Sequence, residues 1–284
     1  MILLSTTEVF PGITQNQLLA FGDPGTYGTY PYGNLLFDQA QNIFGTTSFG
    51  GAGGIAYQLA PSGGRWTETV VNQFGGSNGI GPDGLTFDNQ GNLYGTTTSG
   101  GSGNCIGLSS CGVVFKLTPS NGSWIETILY AFAGTNDGGN PSAGVILDDS
   151  GNLYGSTAGF GVGGGGTVFK LSPVSGGGWT YTVLHSFSSR QDYCGPAAAL
   201  ALHNGSLYGT TYCDGANNVG NVFQLTPSGS GWTYTSLHDF TGEADGGYPI
   251  SDVIFDSEGN LYGTASGGGS LCDSSCGVVW EITP

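Results

Sequence analysis

Acidic side chains supply most of the candidate chemistry in this chain of 284 residues, which carries 20 Asp plus Glu against 4 Lys plus Arg. Asp23, Asp83, Asp137 and Asp245 stand in Gly-rich segments: Asp23-Pro24-Gly25, Gly81-Pro82-Asp83-Gly84, Asn136-Asp137-Gly138-Gly139 and Ala244-Asp245-Gly246-Gly247. Loops of this kind offer carboxylates and carbonyls to a ligand or to Ca2+. A Ca2+ site wants about six to eight oxygens. Each segment brings about one carboxylate, and no Asp-x-Asp-x-Asp-Gly loop occurs. The plainer reading is that Asp-Gly makes turns, so no cofactor is expected. Asp88, Asp148 and Asp256 form a second set, at one recurring place in a repeat. A glycosidase uses two carboxylates in distinct roles. Catalytic carboxylates would break a repeat rather than follow it, so this set is expected to cap turns and the chain is expected not to be an enzyme.

Other reactive types give no catalytic constellation. His185, His203 and His238 have no Ser or Cys partner in the repeat frame, so no triad is visible. No Gly-rich stretch ends in Gly-Lys-Ser/Thr, which a phosphate loop requires. Trp66, Trp124, Trp179 and Trp232 each begin a strand of alternating large residues. Inter-blade packing is the expected role, with sugar stacking as the competing one. Tyr27, Tyr30 and Tyr32 lie in a Gly-rich loop and are the better candidates for exposed aromatic contacts.

The 6 cysteines fall into local pairs: Cys105 with Cys111, Cys194 with Cys213, and Cys272 with Cys276. The second pair flanks a hairpin turning near Asn204-Gly205, a strong hairpin signal. An even count with neighbouring partners reads as three disulfides and an extracytoplasmic home. Zinc is the competing reading, but no His stands near a pair in the repeat frame and no CxxC occurs.

The formal charge of −16 leaves no basic footprint for a phosphate backbone, so nucleic acid is not an expected partner. An anionic membrane surface would repel the chain, and no apolar run is long enough to span one. Met1-Ile2-Leu3-Leu4 is too short for a signal-peptide core. If the protein is exported, the sequence begins after the signal.

The elements that hold these residues come from one stretch, Asn92-Leu93-Tyr94-Gly95-Thr96-Thr97. Its Tyr or Phe recurs at positions 44, 94, 154, 208 and 262, with spacings of 50, 60, 54 and 54. Each unit of about 55 residues offers four short strands, a to d, separated by Gly, Pro and Asp turns, which is the pattern of a propeller blade. In the third unit strand a is 143–148, b is 152–157, c is 167–171 and d is 179–187. The fifth unit lacks strand d and stops at Pro284, while residues 13–21 lie over Trp179–Phe187 position for position. The fold expected is therefore all-β: a five-bladed β-propeller of four-stranded antiparallel blades, its ring closed by strand 13–21 completing the last blade. Residues 13–284 form one domain. Residues 1–12 are surplus, either an extra strand or tail on the chain's own last blade or, through Ile2, Leu3, Leu4, Val9 and Phe10, a strand donated to a neighbouring molecule.

These repeats resemble the bacterial tandem repeat called GloVer, found in "choice-of-anchor" surface proteins. The resemblance rests on Gly138-Gly139-Asn140-Pro141, on Asp148 to Thr157, on Thr167 to Pro173 and on Trp179 to Phe187. It implies bacterial export and surface display, and carries no catalytic residue across. The function expected is a non-enzymatic extracellular structural or adhesive module, self-assembling into a fibre through the N-terminal strand. The alternative is a carbohydrate-binding, lectin-like propeller whose partners are cell-surface glycans.

Overall fold

The computed structural model describes residues 6–10, 13–22, 28–103, 105, 111–188, 194–270 and 276–283. Asp23, Tyr27, Ile2, Leu3, Leu4 and Cys272 lie outside the described residues, as do the side chains of Val9 and Phe10.

The molecule is an all-β ring of five four-stranded antiparallel sheets preceded by a two-stranded one. The two-stranded sheet pairs β1 (Thr6–Phe10) with β2 (Ile13–Asn16). Blade one is β3 (Thr29–Phe37), β4 (Ile43–Phe49), β5 (Ile55–Ser62) and β6 (Arg65–Gln73). Blade two is β7 (Ile80–Phe87), β8 (Leu93–Ser99), β9 (Val113–Ser120) and β10 (Ser123–Ala131). Blade three is β11 (Ile146–Leu147), β12 (Leu153–Thr157), β13 (Thr167–Pro173) and β14 (Trp179–Ser186). Blade four is β15 (Ala201–His203), β16 (Ser206–Thr211), β17 (Asn221–Ser228) and β18 (Gly231–Asp239). Blade five is β19 (Gly247–Pro249), β20 (Ile254–Phe255), β21 (Leu261–Gly267) and β22 (Val278–Ile282).

The recurring Asn-Leu-Tyr-Gly-Thr-Thr is explained residue by residue. In blade three, Asp148 Oδ1 accepts from the Ser150 and Asn152 amides, and its Oδ2 accepts from Asn152 Nδ2 at 2.7 Å and Tyr154 OH at 3.0 Å. The same set surrounds Asp88 and Asp256, so these carboxylates hold turns. Leu93, Leu153 and Leu207 are fully buried. The glycine is a close-packing site: a Cβ on Gly155 would stand 2.5 Å from Phe169 Cζ. Thr96 Oγ1 donates to Ala143 O in the next blade, and Thr97 Oγ1 accepts from the Val113 amide.

Blades pack through one aromatic contact, made again at each joint. The Phe after strand d meets the strand-c aromatic of the next blade: Phe74 on Phe115, Phe132 on Phe169, Phe187 on Phe223 and Phe240 on Trp280. Trp124, Trp179 and Trp232 meet Phe44, Tyr94 and Tyr154 of the preceding blade edge-on. These three tryptophans are inter-blade packing, and Trp66 packs against the core of its own blade.

Ring closure differs in detail from the expectation. Residues 13–16 pair with β1, and residues 17–21 carry no strand pairing. Blade five reaches four strands because its inner strand is split into β19 and β20, both on one edge of β21. Phe21 nevertheless meets Tyr57 at 5.2 Å, the joint contact of the other blades. Leu18, Leu19 and Phe21 pack on the core of blade one. The hairpin with β1 takes up the hydrogen bonds of β2 along one edge.

Cys105–Cys111 and Cys194–Cys213 are disulfides, with Cα atoms 5.3 Å and 4.6 Å apart. Cys276 is disulfide-bonded as well. Disulfides persist outside reducing compartments, which supports a non-cytoplasmic location. Among the described residues no helix is long and apolar enough to cross a membrane.

Candidate functional site

The innermost strands of all five blades surround a central cavity of about 610 Å³, lined by residues within 32–36, 83–86, 142–146, 197–200 and 250–254. Among the described residues its lining contains two carboxylates, Asp83 and Asp252, and no Lys, Arg or His.

Both carboxylates depart from the repeat. Register places Leu36, Thr86, Ile146, Ala201 and Ile254 opposite the motif aromatic of their blades. Counting back three residues from each gives Gly33, Asp83, Ala143, Ala198 and Ser251, and counting back two gives Asn34, Gly84, Gly144, Ala199 and Asp252. At each position one blade carries a carboxylate where three of the others have Gly or Ala.

The local backbone explains the placement. The pairing of β7 with β8 shifts register between Asp83 and Leu85, and β3 has an irregularity between Tyr32 and Leu36. Such bulges re-aim side chains, often beside active sites. Gly84 adopts φ +49°, and a Cβ on it would stand 2.7 Å from the Gly144 amide nitrogen. Gly33 adopts φ +82°, and a Cβ there would lie 3.1 Å from Asp83 Oδ1. Both positions therefore need glycine.

Asp83 is 5% exposed. Burial raises its carboxyl to about 6, the Gly84 amide opposes the shift, and the charge of Asp252 adds to it. The Asp252 carboxylate accepts from the Ala199 amide at 2.7 Å, joining blade five to blade four. Asn34 joins blade one to blade two: its Nδ2 donates to Leu85 O and its Oδ1 accepts from the Leu85 amide, both at 3.0 Å. Three polar groups thus face one cavity, each held by a different blade. One of them keeps its proton into the mildly acidic range, which suits it to donate a hydrogen bond or a proton.

The other sequence candidates fall elsewhere. The sequence groups Asp83 with the loop residues Asp137 and Asp245, but it lies within β7 and faces the channel, because the bulge at Gly84 carries the strand through the Pro-Asp-Gly segment. Asp137 accepts from Tyr130 OH, the Ala133 and Thr135 amides and Thr135 Oγ1. Burial opposes its ionisation, but these bonds outweigh it and lower its carboxyl below the usual range. Asp245 is held by Thr241 and by His238 Nε2. These two carboxylates brace their own loops, and the structure does not bring them together with Asp83. Tyr30 and Tyr32 are 73% and 63% exposed, and Tyr32 stands at the channel lining. Among the described residues no cluster of three or more metal-ligating side chains is present. Asp252 and Asn34 escaped the sequence candidates, although superposing the five inner strands would have found them.

The sequence pattern described as the Gloeobacter/Verrucomicrobia repeat matches residues 104–284. No curated protein matches the sequence. Among solved structures, the chain is similar to a gluconolactonase from Xanthomonas campestris, with TM-score 0.50, 12% identity, and coverage of 87% of this chain and 70% of that one. It is similar to a Thermus thermophilus protein described as a glucose dehydrogenase, with TM-score 0.51, 19% identity and coverage of 95% and 88%. It is also similar to a Dyadobacter fermentans protein of unknown function, with TM-score 0.51, 11% identity and coverage of 94% and 85%. At these identities the likeness is one of fold.

The expectation that the chain is not an enzyme is thereby corrected. Propellers similar to this one include a gluconolactonase and a protein described as a glucose dehydrogenase, so the scaffold is one that houses enzymes. Asp83 and Asp252, unlike the turn carboxylates Asp88, Asp148 and Asp256, also break the repeat.

Proposed function

The chain belongs to the Gloeobacter/Verrucomicrobia repeat family, and on that premise we propose that it is an exported propeller whose central channel binds a small polyhydroxylated molecule, a sugar or sugar derivative. One observation carries the reading: the repeat is broken by carboxylates at the cavity, Asp83 and Asp252. Protonated Asp83 donates to a ligand oxygen, the Asp252 side-chain oxygens accept from a hydroxyl, and Asn34 fixes the wall between blades one and two. Two carboxyl groups lining one cavity, one of them held protonated by burial, are also a starting point for general acid–base work. The names of two propellers of similar fold, a gluconolactonase and a glucose dehydrogenase, support the choice of sugars. The disulfides support export, and the extracellular or surface location is part of the proposal.

The test is isothermal titration calorimetry of the full chain at pH 5 with monosaccharides, aldonolactones and short oligosaccharides. Saturable binding of at least one class, weakened tenfold or more by Asp252→Asn, is expected. Absence of binding across the panel, with the fold intact by circular dichroism, overturns it.

A second reading, a structural or adhesive surface module assembling through its N-terminal strand, rests on the outer edge of β22. Among the described residues that edge pairs with no strand. Light scattering of the full chain and of a chain lacking residues 1–12 tests it: polymers are expected from the first alone, and two monomers would refute it.

A further inference from the structure

One backbone position of the repeat is left-handed in four of the five blades. It precedes the proline that opens the inner strand, which pairs with the end of the motif strand: Pro31 with Thr47, Pro82 with Thr97 and Pro249 with Ala265. In blades two and three the position holds Gly81 at φ +67° and Asn140 at φ +57°, types that tolerate this region. In blades one and five it holds Tyr30 at φ +57° and Tyr248 at φ +54°. A bulky side chain there is a backbone outlier, and such strain gathers at functional sites.

Neither tyrosine is buried in return. Each meets one further exposed ring, Phe49 at 5.6 Å from Tyr30 and Tyr212 at 5.2 Å from Tyr248. The four rings stand at one mouth of the channel, because the inner strand begins and the motif strand ends at the same end of each antiparallel blade. The residue after the proline carries the apolar surface inward. Tyr32 and Ile250 are exposed and line the cavity, where blades three and four have Ser142 and Ala197. The arc runs over blades four, five and one. Blades two and three have no aromatic at the matching places, 81, 98–99, 140 and 158–159.

The cavity narrows the choice of occupant. The arc opens into a space whose described lining holds Asp83, Asp252 and no Lys, Arg or His. A sugar ring stacks its C–H face on an aromatic ring and turns its hydroxyls to polar groups. At a formal charge of −16 the chain repels an anionic glycan.

We propose that the arc is a platform for the outer units of a neutral oligosaccharide whose end unit enters the channel, so that the protein selects chains over free monosaccharides. This rests on sugar binding in the channel, and adds to it the length of the ligand. The channel supplies polar contacts to the end unit, and the arc supplies stacking area to the units that follow. Because blade three already uses Asn140 at this place, the change of Tyr30 and Tyr248 to Asn removes the rings and relieves the backbone.

The test is isothermal titration calorimetry of the full chain at pH 5 with the monosaccharide and the trisaccharide of the cello, xylo and malto series. In the wild type the affinity for a trisaccharide should exceed that for its monosaccharide at least tenfold. In the double variant Tyr30→Asn with Tyr248→Asn that ratio should fall below threefold, with a urea midpoint no lower than the wild type's. Asp252→Asn should weaken binding of both lengths. Equal affinity for the two lengths in the wild type, or an unchanged ratio in the double variant, overturns the platform and leaves sugar binding in the channel standing. Absence of binding at either length overturns both. Nitration of the unaltered chain by tetranitromethane, read by peptide mass spectrometry, decides the case in which the variant fails to fold. Saturating trisaccharide should slow nitration of Tyr30 and Tyr248 at least threefold, and undiminished nitration would overturn the platform.

Discussion

Asp83 is the residue on which the channel's behaviour turns. An unperturbed Asp titrates at about 3.9, whereas burial first and the charge of Asp252 second raise this carboxyl to about 6. The folded state therefore binds the proton more tightly than the unfolded state does. The stability this contributes is fully present below about pH 4 and is lost as pH rises through about 6. The difference amounts to about 3 kcal/mol. Asp83→Asn removes the titration while keeping the shape. Its urea midpoint should exceed that of the wild type at pH 8, and the gap should shrink towards zero as the pH falls to 4. A gap of constant size across that range would show that Asp83 does not titrate as the geometry requires. Ligand binding through the protonated acid should weaken over the same interval, which calorimetry at pH 5 and pH 8 reads directly.

At the scale of the element, the repeated motif is structural throughout and its parts predict their own mutants. Gly155→Ala puts a methyl against Phe169 and should cost about 1–3 kcal/mol by overpacking. Phe187, which is 1% exposed between blades three and four, should cost about 3–5 kcal/mol on truncation to Ala. Both are measured by chemical denaturation. Strand order, turn positions and the four Trp/Phe pairs of strand d were legible in the sequence, because each motif residue has one local partner that recurs every blade. The channel pair was not legible. Gly-Pro-Asp-Gly reads as a loop by composition, but a bulge keeps it in the strand and turns Asp83 inward. Asp252 stands in an ordinary stretch, Ser251-Asp252-Val253. Only its disagreement with four other blades marks it, and that comparison needs the strand register. The closure was half legible: Phe21 takes the joint position the pattern assigns, while residues 13–16 pair with β1 because a hairpin partner lies close in sequence.

At the scale of the molecule, a ring of near-identical blades explains both the composition and the place of the site. Close joints demand glycine, and alternating strands demand aromatics on one face only. Asp88, Asp148 and Asp256 follow the repeat and cap its turns, so the carboxylates that break the repeat at the channel stand out. The Cys194–Cys213 disulfide, 19 residues apart in sequence, closes a loop whose entropy is worth about 3 kcal/mol in the unfolded chain. Reduction should therefore lower the melting temperature by several degrees, read by calorimetry with and without dithiothreitol. The measurement that tests the channel site most directly is calorimetric titration of one sugar ligand into three proteins: the wild type, Asp252→Asn, and Glu258→Gln as an exposed acidic control. The channel reading predicts that affinity falls at least tenfold in Asp252→Asn and is unchanged in Glu258→Gln. Equal affinity in all three would contradict it, and would move the binding site away from the axis of the ring.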